Sequence, residues 1–262
     1  MSSHLNRVRD DLSYADILAG WDSAFYSKFT RMIQPPSPGG RILDIGCGVG
    51  QVVAHLIQSG FEAHGVDVAE ANIARASKIS PRCVVYPGKQ LPYPDDYFDA
   101  VGALNVLEHT ESPESFISEA VRVCKPGGRV VLSSPNFLRV IGYHDYHPRM
   151  RGLRSKYRNA CGLIQRWRMM RNDPAAVCFE RMTPTIKVPF TPDDDAIVAT
   201  NALDMKFFLE RFGCDTESVS CTDRDVHDWV EWVLNATPLR YGMFNALVVA
   251  TKKAIHVAQS TP

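Results

Sequence analysis

Residues 44–50 form a glycine-rich segment with the sequence Asp-Ile-Gly-Cys-Gly-Val-Gly. It lies between a short apolar segment and a segment with helical spacing. Glycine lets a backbone pass close to a ligand, and the start of a helix offers unpaired N–H groups and a partial positive charge. Asp67 ends the next apolar segment, where a carboxylate can accept hydrogen bonds from both hydroxyls of a ribose. These features predict a bound nucleoside, although Asp67 is also suited to cap the helix that follows it.

The spacing of the glycines separates two kinds of nucleotide site. The dinucleotide fingerprint is G-x-G-x-x-G/A; Gly46 and Gly48 fit it, but Gln51 occupies the third position. This departure counts against an oxidoreductase that uses NAD. Asp67 alone would not exclude that class, because NAD also carries a ribose.

Two histidines are candidates for proton transfer at an acceptor. His109 follows the fourth predicted strand, and His144 lies in a Gly-Tyr-His-Asp-Tyr-His segment after the fifth. Histidine is the side chain best suited to act as a general base near neutral pH, so we predict His109 and His144 as catalytic residues. The alternative for each is a loop histidine that is hydrogen-bonded to the backbone.

An Arg-rich segment runs from Arg149 to Arg171 and contains no acidic residue. Arginine suits the recognition of phosphate and carboxylate groups, so the acceptor could be anionic or phosphorylated. The alternative is a solvated helical face whose charge is balanced by residues 193–195, which are all aspartate.

The elements that must position these residues alternate between strand and helix. The strand-like segments are 41–46, 62–67, 82–86, 98–105, 128–134, 214–221 and 243–253. The helix-like segments between and after them are 51–60, 69–79, 112–124, 203–213 and 227–236. Such alternation predicts a Rossmann-like, doubly wound α/β fold: a mostly parallel seven-stranded sheet with helices on both faces and an inserted substrate-binding segment. Ligands of these sheets bind beyond the carboxyl ends of the strands.

We divide the chain into an N-terminal helical lid (1–40), a cofactor-binding core (41–136), an acceptor-binding insertion (137–200) and a completion of the same α/β domain (201–262). The lid would use the aromatic residues Trp21, Phe25, Tyr26 and Phe29, which could equally belong to the core.

The bulk composition fits an ordinary globular protein. Lys+Arg and Asp+Glu both number 29, so the net charge of zero makes a nucleic-acid partner less expected. The first residues are too charged for the apolar part of a signal peptide, and no apolar run is long enough to cross a bilayer. The seven cysteines have no C-x-x-C spacing. We therefore expect a cytoplasmic protein with free thiols and no membrane span; the sequence says little about the oligomeric state.

Residues 41–136 resemble the class I S-adenosylmethionine (SAM)-dependent methyltransferases, in particular the ubiquinone-type O-methyltransferases. The features that carry the resemblance are the G-x-G-x-G loop, Leu91-Pro92, Phe98-Asp99, Leu107-Glu108-His109, Lys125-Pro-Gly-Gly128 and Ser134-Pro-Asn136. The resemblance implies SAM as the cofactor, S-adenosylhomocysteine (SAH) as its product and a small-molecule acceptor.

Carried over by position, the resemblance also implies which residues contact the cofactor. They are Asp44, Gly46, Cys47 and Gly48 at the methionine part, Asp67 at the ribose, Val68, Gly88, Lys89, Gln90 and Leu91 around the adenine, and Asn105 and Val106 beside the sulfonium. One position departs from the family: Pro87 replaces the acidic residue that usually accepts a hydrogen bond from the adenine amine.

The resemblance leaves the metal and the reaction open to alternatives. Glu108, His109, His144 and His147 could form a metal site, and small-RNA 2′-O-methyltransferases have an E-x-x-E-H metal motif. Because Asn105 replaces the first glutamate of that motif, we expect no metal. The leading hypothesis is methyl transfer to a hydroxyl of a sugar or natural-product intermediate. The alternatives are a non-catalytic SAM-binding protein and an RNA methyltransferase that uses the Arg-rich segment.

Overall fold

The computed structural model describes residues 23–35, 37–142, 147–185, 193–222 and 227–254, with the backbone alone for residues 23–25. The candidate residue His144, the aromatic residue Trp21 and the side chain of Phe25 therefore lie outside the described part.

A seven-stranded sheet forms the centre of the structure, in the order β3-β2-β1-β4-β5-β7-β6. The strands are β1 (Arg41–Ile45), β2 (Glu62–Asp67), β3 (Cys83–Val85), β4 (Phe98–Leu104), β5 (Cys124–Pro135), β6 (Cys214–Thr222) and β7 (Asn245–Lys252). Neighbours among β1 to β5 pair in parallel, and β7 is antiparallel to both β5 and β6. The predicted fold, a mostly parallel seven-stranded sheet, is confirmed.

Helices cover the sheet. They are α1 (Ser23–Ile33), α2 (Gln51–Gln58), α3 (Glu70–Ala76), α4 (Pro113–Val123), α5 (Gly152–Asn172), α6 (Ala202–Arg211) and α7 (Asp228–Asn235). Pro113 opens α4, as the proline preference for a first helical turn predicts. Ser112 occupies the N-cap position, but its side chain makes no capping hydrogen bond.

Two features of the chain differ from the expectation. The helix-like segments predicted from the sequence leave out the insertion, yet it contains the 21-residue helix α5. Strand β5 begins at Cys124 rather than at residue 128 as predicted, and its pairing with β4 is irregular where Phe98 and Ala100 face Cys124 and Arg129.

Alternation along the strands divides the apolar residues between two cores. Leu43 and Val130 pack in one cluster, whereas their chain neighbours Ile42 and Val131 pack in the other. Successive side chains of a strand point to opposite faces of its sheet, so each core lies under its own layer of helices. No helix in the described ranges has the length and apolar character needed to cross a membrane.

Helix α1 packs directly on the sheet. Phe29 and Ile33 are buried there, and a Cβ built on Gly102 of β4 would lie 2.4 Å from Ile33 Cδ1 and 2.7 Å from the Phe29 ring. Glycine at this position therefore lets α1 approach the strand closely. Phe29 belongs to the core, which was the alternative to a role in a lid.

Candidate functional site

The candidate site lies where the parallel strands β1, β2 and β4 end. Because β1 pairs with both β2 and β4, the loops after these three strands meet at one edge of the sheet. The strand order reverses between β1 and β4, and ligands of open α/β sheets usually bind at such a topological switch point.

The glycine loop after β1 has a backbone that only glycine adopts easily. Gly46, Gly48 and Gly50 have φ angles of 74°, 53° and 90°, in the left-handed region that costs other residues energy. A Cβ on Gly46 would lie 2.2 Å from Val106 Cγ2. The loop after β1 is therefore in direct contact with the loop after β4, which brings two predicted cofactor residues together.

Asp67 connects the glycine loop to helix α3. Its Oδ2 accepts a hydrogen bond from the backbone N–H of Gly48 at 2.9 Å. Its Oδ1 accepts from the N–H of Ala69 at 2.9 Å and from the Asn72 amide at 3.2 Å. The carboxylate thus bonds the backbone ahead of α3, as the capping alternative predicts. The contact with a ribose stays a prediction.

Asp44 lies buried in β1 directly before the glycine loop. Burial raises the pKa of its carboxyl well above the ordinary range, and the neighbouring Cys83 and Asp67 add to this effect. On the other side Tyr26 of α1 has its pKa raised to about 12 by burial and by the charge of Asp44. A carboxylate in such a place gains from a cationic ligand group, because a nearby positive charge favours its ionised form.

Cys47 and Leu91 are engaged inside the protein. The Cys47 N–H donates to the Val66 carbonyl, and the hydrogen bond with Cys83 and burial raise the pKa of its thiol well above the ordinary range. Leu91 is buried in the main core, and its N–H donates to a Glu119 carboxylate oxygen at 3.0 Å. The contacts of these two residues with a cofactor stay predictions.

The predicted adenine residues lie beyond β2 and β3. Val68 is an exposed apolar side chain, and a Cβ on Gly88 would lie 3.2 Å from Val68 Cγ1. Gly88, Lys89 and Gln90 are exposed. The structure thus places Val68 beside the segment predicted to flank the adenine.

Asn105 follows β4 and faces the same edge. Its backbone has a φ of 53°, and its N–H donates to the Ser133 carbonyl at 2.8 Å. Its side-chain Oδ1 is buried and has no hydrogen-bond partner among the residues that the structure describes. A buried acceptor without a donor is costly, so Asn105 Oδ1 is suited to accept a hydrogen bond from a ligand.

An acidic cluster surrounds His109, four residues after Asn105. His109 Nδ1 lies 3.3 Å from Asp195 Oδ1; Nε2 lies 3.8 Å from Glu108 Oε1 and 3.9 Å from Asp193 Oδ1. Burial, followed by the charge of Asp193, raises the pKa of Glu108 well above its ordinary range. Glu108 Oε2 accepts a hydrogen bond from Ser134 Oγ at 2.8 Å.

Asp193 and Asp195 are the site residues that the sequence did not indicate. In the sequence they figure only in one alternative, as a balance for the charge of the Arg-rich segment; in the structure they are buried beside His109. The only signal in the sequence is weak: residues 193–195 directly precede the apolar segment 196–199.

His147 and the Arg-rich segment have contacts of their own. His147 is buried against the Phe137 ring, and its Nδ1 accepts a hydrogen bond from the Arg149 N–H. Most of the Arg-rich segment forms α5, whose apolar residues Leu153 and Tyr157 are 86% and 75% exposed. Its role in binding an anionic acceptor stays a prediction.

Comparison with known proteins identifies the domain that this site belongs to. The family described as "Methyltransferase domain" matches residues 43–132, from β1 to β5. The chain contains a class I SAM-dependent methyltransferase domain. The matched residues include the glycine loop, Asp67, Asn105 and His109, so the site described above lies within the matched segment.

Individual relatives share the domain but differ in the reaction that their names state. A ubiquinone biosynthesis O-methyltransferase of Maricaulis maris is 40% identical over 110 residues, covering 38% of this chain and 42% of that protein. A norajmaline N-methyltransferase of Rauvolfia serpentina is 32% identical over 117 residues, covering 41% of this chain and 40% of that protein. Each of these two alignments spans less than half of the relative's own length.

Solved structures support the fold over a longer range. A SAM-dependent methyltransferase of Mesorhizobium loti aligns with a TM-score of 0.58 and 19% identity, over 88% of this chain and 99% of that chain. At this identity the likeness shows the architecture alone. The fold therefore extends beyond residues 43–132 to β6 and β7 and the helices beside them.

Proposed function

We propose that this protein transfers the methyl group of SAM to a hydroxyl oxygen of a small-molecule acceptor. The observation that carries the proposal is the position of His109, three residues after the Val106 contact with the glycine loop and among three carboxylates. A hydroxyl is a weak nucleophile until its proton leaves, and an imidazole among carboxylates is suited to assist that loss.

In the proposal each of the residues at this sheet edge contacts one part of the cofactor. Bound SAM supplies a methyl group on a positively charged sulfur. In the proposal Asp44 and Asn105 hold its amino group, Asp67 holds the ribose, and Val68 with Gly88 contacts the adenine. The methionine part can lie close to the backbone of the glycine loop, because Gly46 and Gly48 have no side chain there.

At the acceptor side the protein positions the oxygen and assists the loss of its proton. The new O–CH₃ bond forms as the S–CH₃ bond breaks, the sulfur keeps the electron pair of the broken bond, and the acceptor proton leaves. Holding two reactants in line is itself a large part of such catalysis. His109 is the residue that we assign to the acceptor, with Asp195 fixing the orientation of its ring.

The test is methyl transfer from radiolabelled SAM to a panel of phenols, sugars, amines and carbon acids, with the product identified by mass spectrometry. The proposal predicts products methylated at oxygen. It also predicts a rate at saturating acceptor that falls at least ~100-fold in His109→Gln, in line with the loss of proton-transfer assistance.

The matched control is His55→Gln, in helix α2 away from this edge, which should keep the wild-type rate. Products methylated only at nitrogen or carbon would overturn the assignment to oxygen. Cofactor binding without transfer to any acceptor would favour the non-catalytic alternative.

A further inference from the structure

Two cysteines share the space above one glycine beside the cofactor site. Cys47 lies in the glycine loop after β1, and Cys83 is the first residue of β3. A Cβ built on Gly65 of β2 would lie 2.7 Å from Cys47 Sγ and 3.1 Å from Cys83 Sγ. Because glycine has no side chain, the two sulfur atoms can meet across β2, which lies between β1 and β3 in the sheet.

The strands hold the two cysteines in this arrangement. Cys83 is the partner of Gly65 in the parallel pairing of β2 with β3. From the other side of β2, the N–H of Cys47 donates to the Val66 carbonyl at 3.0 Å. Both side chains are buried. The contact between the thiols is therefore set by the backbone of three neighbouring chain segments.

The two thiols form a hydrogen-bonded pair with distinct roles. The hydrogen bond from Cys47 lowers the pKa of Cys83, because a donor favours the thiolate form of its acceptor. The same hydrogen bond, together with burial, raises the pKa of Cys47 well above the ordinary range. The thiolate is the reactive form of cysteine, so Cys83 is the more reactive member and Cys47 supplies the second thiol.

We propose that a peroxide converts Cys47 and Cys83 into a reversible disulfide, which weakens the binding of SAM and SAH. In the proposal peroxide reaches the pair through the open cofactor site, because Cys47 belongs to the loop that the cofactor covers. The inference rests on the cofactor site of the proposed function and adds a redox control to it.

The chemistry balances with hydrogen peroxide as the co-reactant. The Cys83 thiolate attacks one peroxide oxygen, so that an S–O bond forms as the O–O bond breaks and hydroxide leaves. The Cys47 sulfur then attacks the oxidised sulfur of Cys83. The S–S bond forms as the S–O bond breaks, and the hydroxyl leaves with the Cys47 proton as water. Two thiols are oxidised, and one peroxide is reduced to water and hydroxide.

Closing the disulfide moves the glycine loop. An S–S bond is about 2.05 Å long, much shorter than the contact between two hydrogen-bonded thiols, so Cys47 must shift towards β3. Gly46 and Gly48 shift with it, because they are its neighbours in the chain. The shift alters the hydrogen bond from the Gly48 N–H to Asp67 and with it the surface that the loop offers to the methionine part of SAM.

The first measurement maps the bond in the full chain. Reduced protein is treated with hydrogen peroxide, the remaining free thiols are alkylated, and the peptides are identified by mass spectrometry. We expect a pair of peptides linked through Cys47 and Cys83, which dithiothreitol separates. Absence of this linked pair would overturn the proposal.

Calorimetric titration with SAH measures the effect on the site. The oxidised wild type should bind SAH at least ~10-fold more weakly than the reduced form, and reduction should restore the affinity. Cys83→Ser, with its fold verified by circular dichroism, should bind SAH and show no response to peroxide. The matched control Cys178→Ser removes an exposed thiol and should respond like the wild type. An equal loss of affinity in Cys83→Ser would overturn the proposal.

Linkage between the disulfide and the ligand gives a test that needs no variant. If the disulfide weakens SAH binding tenfold, saturating SAH must favour the dithiol tenfold, which raises the midpoint potential of the pair by about 30 mV. The full chain is equilibrated in dithiothreitol redox buffers with and without SAH, and the linked peptides are quantified. A midpoint potential that SAH leaves unchanged would overturn the proposal.

The outcomes also separate this inference from the proposed function. Absence of SAH binding by the reduced protein would overturn the cofactor site of the proposed function, and the redox control with it. SAH binding by the reduced protein that peroxide does not change would overturn the redox control alone and leave the proposed function standing.

Discussion

Replacement of Gly46 by alanine tests the contact between the two loops of the site. The new Cβ would lie 2.2 Å from Val106 Cγ2, at a residue with a φ of 74°. The left-handed conformation costs a residue with a Cβ about 1–2 kcal/mol, and overpacking costs a further 1–3 kcal/mol, approximately. We therefore expect Gly46→Ala to lower the free energy of unfolding by about 2–5 kcal/mol.

Two further variants separate these contributions. Gly60 has a φ of 85° and nothing within 4 Å of a built Cβ, so Gly60→Ala should show the conformational cost alone, about 1–2 kcal/mol. Val106→Ala removes the methyl group at 2.2 Å and leaves Val106 Cβ at 3.2 Å. The double variant Gly46→Ala/Val106→Ala should therefore recover about 1–3 kcal/mol relative to the sum of the single changes.

The assay is urea unfolding of the wild type and the four variants, with SAH titrated by calorimetry into those that fold. SAH affinity should fall in Gly46→Ala and stay unchanged in Gly60→Ala. A coupling free energy below about 0.5 kcal/mol between Gly46 and Val106 would refute the reasoning, because residues in contact should not behave additively.

Two other predictions concern buried polar groups. The pKa of Asp44 is raised above its ordinary value of 3.8, so the folded state binds the carboxyl proton more tightly than the unfolded state does. The stability that this proton contributes is therefore lost as the pH rises from about 4 through the raised pKa. At pH values above this range Asp44→Asn should therefore unfold at a higher temperature than the wild type, and it should bind SAH more weakly. A difference in melting temperature that is the same at every pH would contradict this account. Asn136 is buried, donates to the carbonyls of Tyr241 and Met243 and accepts from the Leu138 N–H, so Asn136→Ala should cost about 3 kcal/mol or more in urea unfolding by leaving these groups without partners. The exposed Asn172 provides the control, and an equal loss in Asn172→Ala and Asn136→Ala would count against the role of Asn136.

Local patterns in the sequence predicted most of the fold. The G-x-G-x-G loop, the short apolar strands and Pro113 all act through contacts close in the chain, so their positions could be predicted within a few residues. Helix α5 was less visible because its outward face exposes Leu153 and Tyr157, which removes the one-sided apolar pattern of a surface helix.

The site was predictable only in part, for a different physical reason. Asp67 and Asn105 follow strands directly, so the order of the strands places them. Asp193 reaches His109 from a turn at residues 193–195, and no periodicity in the sequence encodes that approach. The hydrogen bonds that Asp67 accepts from the Gly48 and Ala69 N–H groups likewise depend on the conformation of the loop.

The most direct test of the central claim is calorimetric titration of the full chain with SAH, SAM and NAD, repeated on Asp67→Asn with Asp215→Asn as the control. The account predicts binding of SAH and SAM with one site per chain, no response to NAD, and an affinity for SAH at least ~10-fold weaker in Asp67→Asn, since the ribose loses a charged acceptor. Asp215→Asn should match the wild type. Absence of SAH and SAM binding by the wild type would contradict the account.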